Sequence, residues 1–460
     1  MTIFEFLIKH KNENPISFHM PGHKGNKYLR EFGYGEFLDD ILACDITEIQ
    51  GADNLFQPDS IIKNTMIDYE ALYNAKYTRL LVNGSSCGLL ASILSTVKPS
   101  EKLIMARNSH KSVFNGVSLG GIKPVYVGPE YLEEYGILGE ISVELLKEKI
   151  NSNPDAKAII LPSPNYYGIC SDIKEISKIA HEKGMVLIID QAHGAHLKFY
   201  DGNKAAENLG ADIVINSIHK TLFSFTESAV INICTNKVDV SELDDKIQMI
   251  ESTSPSYLLM ASLDINGRIL KDHRHELIHS WKKNIKYFWE AAKEIEGLDV
   301  MKHRLLDETK LNLDMSRLGL TGRMLENELI KRNIYPELVS GNIVMCMTGI
   351  GNEKKDYTKL ISALKDISES NNIIDVIKNS SIKAFNLRLE KIPNEKKRVN
   401  LDLAEGQIVA EGITPYPPGI PIACPGEVLD KIVIDYVKNL KEEGHKVIGV
   451  NEKGEIAVGI

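Results

Sequence analysis

Paired cysteines, long apolar runs and an excess of positive charge are all missing from this sequence. The six cysteines (Cys44, Cys87, Cys170, Cys234, Cys346, Cys424) lie scattered, with no Cys-x-x-Cys pair. That spacing excludes a disulfide framework and the usual zinc sites, and it points to the reducing cytoplasm. No apolar run is long enough to span a bilayer, so no membrane role is expected. The opening Met1-Thr2-Ile3-Phe4-Glu5-Phe6 lacks the basic-then-apolar order of a secretory signal. With 54 Lys and Arg against 63 Asp and Glu, the net charge is -9. That balance disfavours nucleic acid as a partner and suits a cationic small molecule. Internal repeats and low-complexity tracts are also lacking.

What remains is a globular composition, 43% hydrophobic and 25% charged. A chain of 460 residues is too long for one ordinary core. The expected division is an N-terminal arm over 1–40, a large domain over 41–285 and a smaller α+β domain over 286–460. Ile3, Phe4, Leu7 and Ile8 have helical spacing and make the arm an amphipathic candidate. Phe18-His19-Met20-Pro21-Gly22-His23-Lys24-Gly25 reads as a loop, because Pro21 and Gly22 forbid a regular helix between the histidines. It suits either a solvated turn or a pocket wall.

From residue 80 the pattern alternates. Apolar strands are expected at 80–82, 102–106, 124–127, 158–161, 185–189, 211–216 and 229–233, with helices between most of them. Near-continuous apolar strands separated by helices predict a mostly parallel seven-stranded sheet covered on both faces. Ligands of such sheets sit beyond the carboxyl ends of the strands. A long polar helix over 263–297 is expected to bridge to the second domain.

The chemistry gathers at those strand ends. Ser217-Ile218-His219-Lys220 follows the sixth strand. An isolated motif of this kind is most simply a solvated lysine, but a desolvated one loses its proton readily and becomes a nucleophile toward aldehydes. The aldehyde that suits it is pyridoxal 5'-phosphate (PLP). Gly84-Ser85-Ser86 opens an apolar helix and offers backbone N–H groups and hydroxyls to a phosphate. Asp190 ends the fifth strand, where a carboxylate needs a cation such as a protonated pyridine nitrogen. His110 starts a helix after the second strand, either as its cap or as a flat surface for the ring. Ser217 lies close enough to the lysine to reach the phosphate. Together these residues follow the chain order that a PLP-binding sheet requires.

These segments resemble the ornithine/lysine/arginine decarboxylase family, in particular its shorter bacterial members. The similarity also runs through Arg107-Asn108-Ser109-His110, Asp190-Gln191-Ala192-His193-Gly194, Ser252-Thr253-Ser254-Pro255, Pro415-Tyr416-Pro417-Pro418-Gly419-Ile420-Pro421 and Cys424-Pro425-Gly426-Glu427. The resemblance implies the aspartate-aminotransferase fold and PLP-dependent decarboxylation of a basic amino acid in polyamine biosynthesis. It implies that Lys220 forms the Schiff base, Asp190 pairs with the pyridine nitrogen and His110 stacks on the ring. Ser85, Ser86, Ser217 and His219 would hold or flank the phosphate, with Ala192 and His193 beside the ring. Lys220 or His219 would return a proton to the substrate. Thr253 would reach the phosphate of a second subunit, implying a homodimer. Glu48, Asp53 or Glu427 would read the substrate cation. Thr226-Glu227 and Phe223 depart from the family pattern and leave the substrate open: arginine first, then lysine, then ornithine. An aminotransferase or elimination lyase on the same fold, or an inactive PLP-binding homologue, are the alternatives.

Overall fold

The computed structural model describes residues 1–25, 27–373, 387–393, 395–416, 421–442, 444 and 446–460. Residues 417–420 of the proline-rich run therefore lie outside the described residues.

Seven strands form the main sheet: β1 (Tyr77–Leu81), β2 (Lys102–Ala106), β3 (Lys123–Val127), β4 (Ala158–Pro162), β5 (Val186–Asp190), β6 (Ile213–Asn216) and β7 (Ala229–Ile233). Their order across the sheet is β1-β7-β6-β5-β4-β2-β3. Strand β7 runs antiparallel to both neighbours, and the other pairs are parallel. The expected α/β class and strand positions hold. Within β2, Leu103 and Met105 enter one apolar core while Ile104 and Ala106 enter the other. Successive side chains point to opposite faces, so a strand buried on both sides must be apolar throughout. That requirement is what made these strands visible in the sequence. The carboxyl ends of β1, β2, β4, β5 and β6 consequently share one edge.

The second half differs from expectation. A helix runs unbroken over Tyr257–Ala292, capped by the Ser256 hydroxyl on the Leu259 N–H. Its buried Trp281, Ile285 and Phe288 share one core with Leu311, Val344 and Tyr357. The boundary expected at 285/286 therefore falls inside a continuous helix and a continuous core. Beyond it, β8 (Asp299–Val300), β9 (Lys310–Asp314), β10 (Leu338–Ser340) and β11 (Ile343–Met347) form a four-stranded antiparallel sheet in the order β8-β9-β11-β10. A separate core around Leu401, Val409, Ile413, Val433, Ile434 and Val458 organises the C-terminal stretch. The region expected as one small domain thus holds two structural units. The arm is a helix, Ile3–Glu13, with no buried residue and a Thr2–Glu5 capping box. Ile16–Phe18 pairs in parallel with Ile334–Pro336 and ties the N-terminus to the second half.

The loop around Gly22 lies against the segment that carries Lys220. The Gly22 N–H donates to the His219 carbonyl at 2.7 Å, and the Ile350 N–H donates to the Thr221 carbonyl at 2.9 Å. A Cβ on Gly22 would stand 2.2 Å from the Thr221 carbonyl carbon. Backbone cannot yield as a side-chain tip can, so only glycine fits. Gly22→Ala is expected to lower stability by about 1–3 kcal/mol, the usual cost of overpacking. Calorimetry checks this, and an unchanged melting temperature would show that the loop is free to retreat.

Candidate active site

Lys220 lies on a four-residue helix, Ile218–Thr221, immediately after β6. Its Nζ stands 2.9 Å from His193 Nε2. Burial is the largest influence on this amine and pushes its pKa below the ordinary lysine value, against the opposing charges of Asp190 and Glu337. Asp190 is the last residue of β5. Its Oδ1 accepts the Ala192 N–H at 3.1 Å, and burial raises its pKa while the Lys220 charge opposes the rise. Lys220, Asp190, His110, Ser85, Ala192 and His193 all line one pocket, together with Asn108 and Tyr166.

The phosphate cup and the ring wall come from neighbouring strand ends. Gly84 takes φ +75° as it opens the helix Gly84–Thr96. The N-cap residue Asn83 makes no side-chain bond to this helix. First-turn N–H groups without a side-chain cap are a natural anion site. Ser86 shares that first turn but does not line the pocket. His110 serves both alternatives. It caps the helix Lys111–Leu119, its Nδ1 accepting the Ser112 N–H at 3.3 Å, and its ring still lines the pocket. Four buried polar atoms on these elements have no partner among the described residues: Asn108 Oδ1, Ser109 Oγ, His193 Nδ1 and Ser217 Oγ. Unsatisfied buried polar atoms are costly, which marks them as groups that a polar ligand completes. An uncapped helix start, orphaned hydroxyls, a buried acid and a deprotonatable amine fit a phosphorylated pyridine aldehyde.

The support behind this wall was not anticipated. The ring of Tyr166 stands 4.4 Å from that of His193. The Tyr166 hydroxyl donates to Glu337 Oε1 at 2.9 Å. Lys310, fully buried, donates to the His193 carbonyl at 3.1 Å and to Asp307 Oδ2 at 2.9 Å. Asp307 also faces His196 Nε2 at 3.1 Å. Tyr166 follows the carboxyl end of β4, so the strand-end rule had the means to find it. Glu337, Asp307 and Lys310 come from the second half and carried no local signal.

Two expectations need correction. Asp53 accepts backbone N–H bonds from Asn54, Asp59, Ser60, Ile62 and Lys63. Burial pushes its pKa up, but these donors outweigh it and hold the group at about 2. It anchors a loop and the start of a helix, and is not free to read a substrate. Glu427 forms a buried two-pronged ion pair with Arg107, at 2.7 Å to Nε and 2.6 Å to Nη2. It pins the C-terminal unit to the large domain. His219 does not line the pocket. Its Nδ1 donates to the Ser228 carbonyl at 3.0 Å, which fixes the ring against that loop. Glu48 is also absent from the pocket lining, and Thr253 lies in an exposed stretch of this chain. Of the two departures, Phe223 is buried in an aromatic cluster with Tyr28 and Phe32, and Glu227 is exposed at φ +83°.

The sheet order, the antiparallel seventh strand and the amine–acid pair define the class of lysine-dependent PLP enzymes. Solved structures agree on the fold. The lysine decarboxylase of Francisella novicida superposes with a TM-score of 0.77 at 18% identity, covering 95% of this chain and 78% of that one. That of Pseudomonas aeruginosa gives 0.77 at 19%, covering 99% and 80%. The profile of the Orn/Lys/Arg decarboxylase major domain matches residues 2–311, and that of its C-terminal domain matches residues 373–454. The chain belongs to the Orn/Lys/Arg decarboxylase family of PLP-dependent carboxy-lyases, and is a decarboxylase of basic amino acids. It is 30% identical to an arginine decarboxylase of Bacillus anthracis, over 97% of this chain and 94% of that protein. It is 31% identical to the arginine decarboxylase of Bacillus subtilis, over 95% and 93%.

Two predictions follow from the site's electrostatics. Removing one partner of a buried ion pair strands the other, so Glu427→Ala is expected to cost about 3–5 kcal/mol in urea unfolding. A loss below 1 kcal/mol would mean that Arg107 finds another anion. Burial, aided by nearby lysines, also holds His110 and His219 at about 4. Unfolded histidines titrate near 6.5, so below that pH the unfolded chain binds more protons. Stability therefore falls with pH between about 6.5 and 4, by about 1.4 kcal/mol per pH unit for each such histidine. Urea midpoints measured at pH 7, 6 and 5 check this, and a flat profile contradicts it.

Proposed function

We propose that this protein decarboxylates L-arginine to agmatine and CO2, with PLP held in the Lys220–Asp190 pocket, as a cytoplasmic step of polyamine biosynthesis. The observation that carries the reading is the presence of both groups, from adjacent strand ends, in one pocket. The choice of arginine is supported by the names of the Bacillus relatives. Lysine and ornithine rank second and third.

When bound, PLP supplies an aldehyde for the substrate amine and a ring that takes up the electron pair left by departing CO2. Ser85, Ser86, Ser217 and the first-turn N–H groups after Gly84 hold the phosphate. Asp190 keeps the pyridine nitrogen protonated, with Ala192 fixing its carboxylate. His110 and His193 flank the ring. Lys220 Nζ, whose pKa burial lowers, would hold the cofactor's aldehyde carbon and would carry a proton to the substrate Cα. Glu337 braces the Tyr166 wall from behind, its two carboxylate oxygens accepting from the Tyr166 hydroxyl and the Met20 N–H. It is, with Asp190, one of the two carboxylates whose charge acts on Lys220. Thr253 reaches the phosphate of a second subunit in a homodimer.

The departing carboxylate needs weak binding, since a strong clamp would stabilise the ground state. No arginine lines the pocket among the described residues. Arg107, at the end of β2, is locked by Glu427 and by the Pro421 and Ile422 carbonyls. An aminotransferase would need such a clamp free.

The test is a panel of arginine, lysine and ornithine with product identification. Agmatine and CO2 are expected to dominate. Keto-acid formation, or preference for lysine, would overturn the corresponding part. Asp190→Asn is expected to lower kcat by about 10²–10³, the usual cost of losing a preorganised electrostatic partner.

A further inference from the structure

Three histidines feel the charge of Lys220: His110, His193 and His219. Two of them are engaged elsewhere. His110 Nδ1 meets the Ser112 hydroxyl at 2.8 Å and the Ser112 N–H at 3.3 Å. His219 Nδ1 donates to the Ser228 carbonyl. His193 alone places a ring nitrogen on the amine, its Nε2 standing 2.9 Å from Lys220 Nζ. Its Nδ1 is buried without a partner, so Lys220 is the ring's one hydrogen-bond partner among the described residues.

The ring is held from several sides. The buried Lys310 donates to the His193 carbonyl at 3.1 Å and is itself anchored on Asp307 at 2.9 Å. The next residue closes a tight turn, the Gly194 N–H donating to the Gln191 carbonyl at 2.8 Å. A Cβ on Gly194 would stand 2.5 Å from Pro164 Cδ, which leaves this turn no slack. The Tyr166 ring covers the imidazole at 4.4 Å and is fixed in turn by Glu337. Packing of this kind presents a polar atom at one place rather than many. Burial first, then the charges of Lys220, Lys310, His110 and His219, push the His193 pKa well down, so the ring is neutral. A neutral imidazole has one nitrogen free to accept, whereas an ammonium only donates. Against protonated Lys220, Nε2 therefore accepts and Nδ1 carries the ring hydrogen.

A lysine that gives up the cofactor to a substrate amine has to be held somewhere, and its proton has to reach one carbon and not another. We propose that His193 is a positioning residue for the freed Lys220: its Nε2 accepts one N–H of the amine and leaves the remaining N–H bonds for the substrate Cα. The inference rests on the reading that Lys220 holds the cofactor, and it does not depend on which basic amino acid is taken. In the transfer an Nζ–H bond of the Lys220 ammonium breaks and its electron pair stays on nitrogen. The pair left on Cα by departing CO2 forms the new C–H bond, and His193 keeps its own proton throughout. Without the histidine, the same proton is free to reach the cofactor's aldehyde carbon. Water then releases an aldehyde one carbon shorter than the amino acid, and the cofactor leaves as pyridoxamine 5'-phosphate.

The test compares the full-length, PLP-loaded protein with His193→Phe, which keeps a packed ring and removes the acceptor, and with His193→Gln, whose amide can still accept. Methylamine competes with Lys220 for the cofactor whatever the natural substrate is. Borohydride then freezes the distribution: cofactor still on Lys220 is found in its peptide, and displaced cofactor as free N-methylpyridoxamine phosphate. Displacement is expected to weaken about fivefold in His193→Phe, the worth of one hydrogen bond, and to return to within about twofold of the parent in His193→Gln. Each protein is also incubated with arginine, lysine and ornithine in turn. Pyridoxamine 5'-phosphate formed per CO2 released should rise at least tenfold in His193→Phe and stay at the parent level in His193→Gln. A merely structural role would lower the rate without moving that ratio. Should the phenylalanine variant fail to fold, His193→Leu takes its place with the same expectations. Unchanged displacement, or an unchanged ratio, in a folded variant would overturn the inference. If none of the three amino acids is turned over, the substrate reading fails and the methylamine result alone decides. Cofactor absent from Lys220 in the parent would overturn the cofactor reading and this inference with it.

Discussion

An ammonium ion at position 220 would have to sit almost without water, and the fold makes that unfavourable. Burial is the largest influence on the Lys220 amine, exceeding the attraction of Asp190. The chain accepts this because Lys220 follows a fully buried strand, and Asp190 ends the strand beside it. Register alone therefore brings a nucleophilic amine and an electron-withdrawing acid into one pocket. The chemistry of the family rests on that placement, since each group is useful only in the other's reach.

The surrounding structure serves to keep those strand ends still. Backbone from the Gly22 loop and from Ile350 is hydrogen-bonded directly to the Lys220 helix. Behind His193, the buried Lys310–Asp307–His196 cluster replaces water with fixed charges and hydrogen bonds. Such a cluster adds little net stability compared with an apolar core, but it fixes geometry. Glu427 grips Arg107 just after β2, so the C-terminal unit is anchored beside the strand end that carries Asn108 and His110. Gly22, Ile350, Asp307, Lys310 and Glu427, which supply these supports, lie far in sequence from the catalytic motifs they hold.

This explains what could be read in advance. The seven strands were legible because a strand buried on both faces must be apolar throughout. Lys220, Asp190, His110 and Ser85 were legible because polar residues directly after such strands have few other reasons to be there. Asp53 and Glu427 misled for the converse reason. A carboxylate near a motif says nothing of its partner, and here the partners are a ring of backbone N–H groups and an arginine 320 residues away. The boundary expected at 285/286 falls in a helix polar enough to suggest a linker, whose other face is buried in a core shared with the second half. Glu337 and Lys310 were invisible, since only tertiary packing sets them behind Tyr166 and His193.

The placement of the amine can be tested without any substrate. Borohydride reduction of the PLP-loaded protein fixes the cofactor to whichever lysine holds it, and peptide mass spectrometry then locates the label. A phosphopyridoxyl group on Lys220 alone is the result expected here. A label on Lys24, Lys310 or any other lysine, or none at all, would contradict the account.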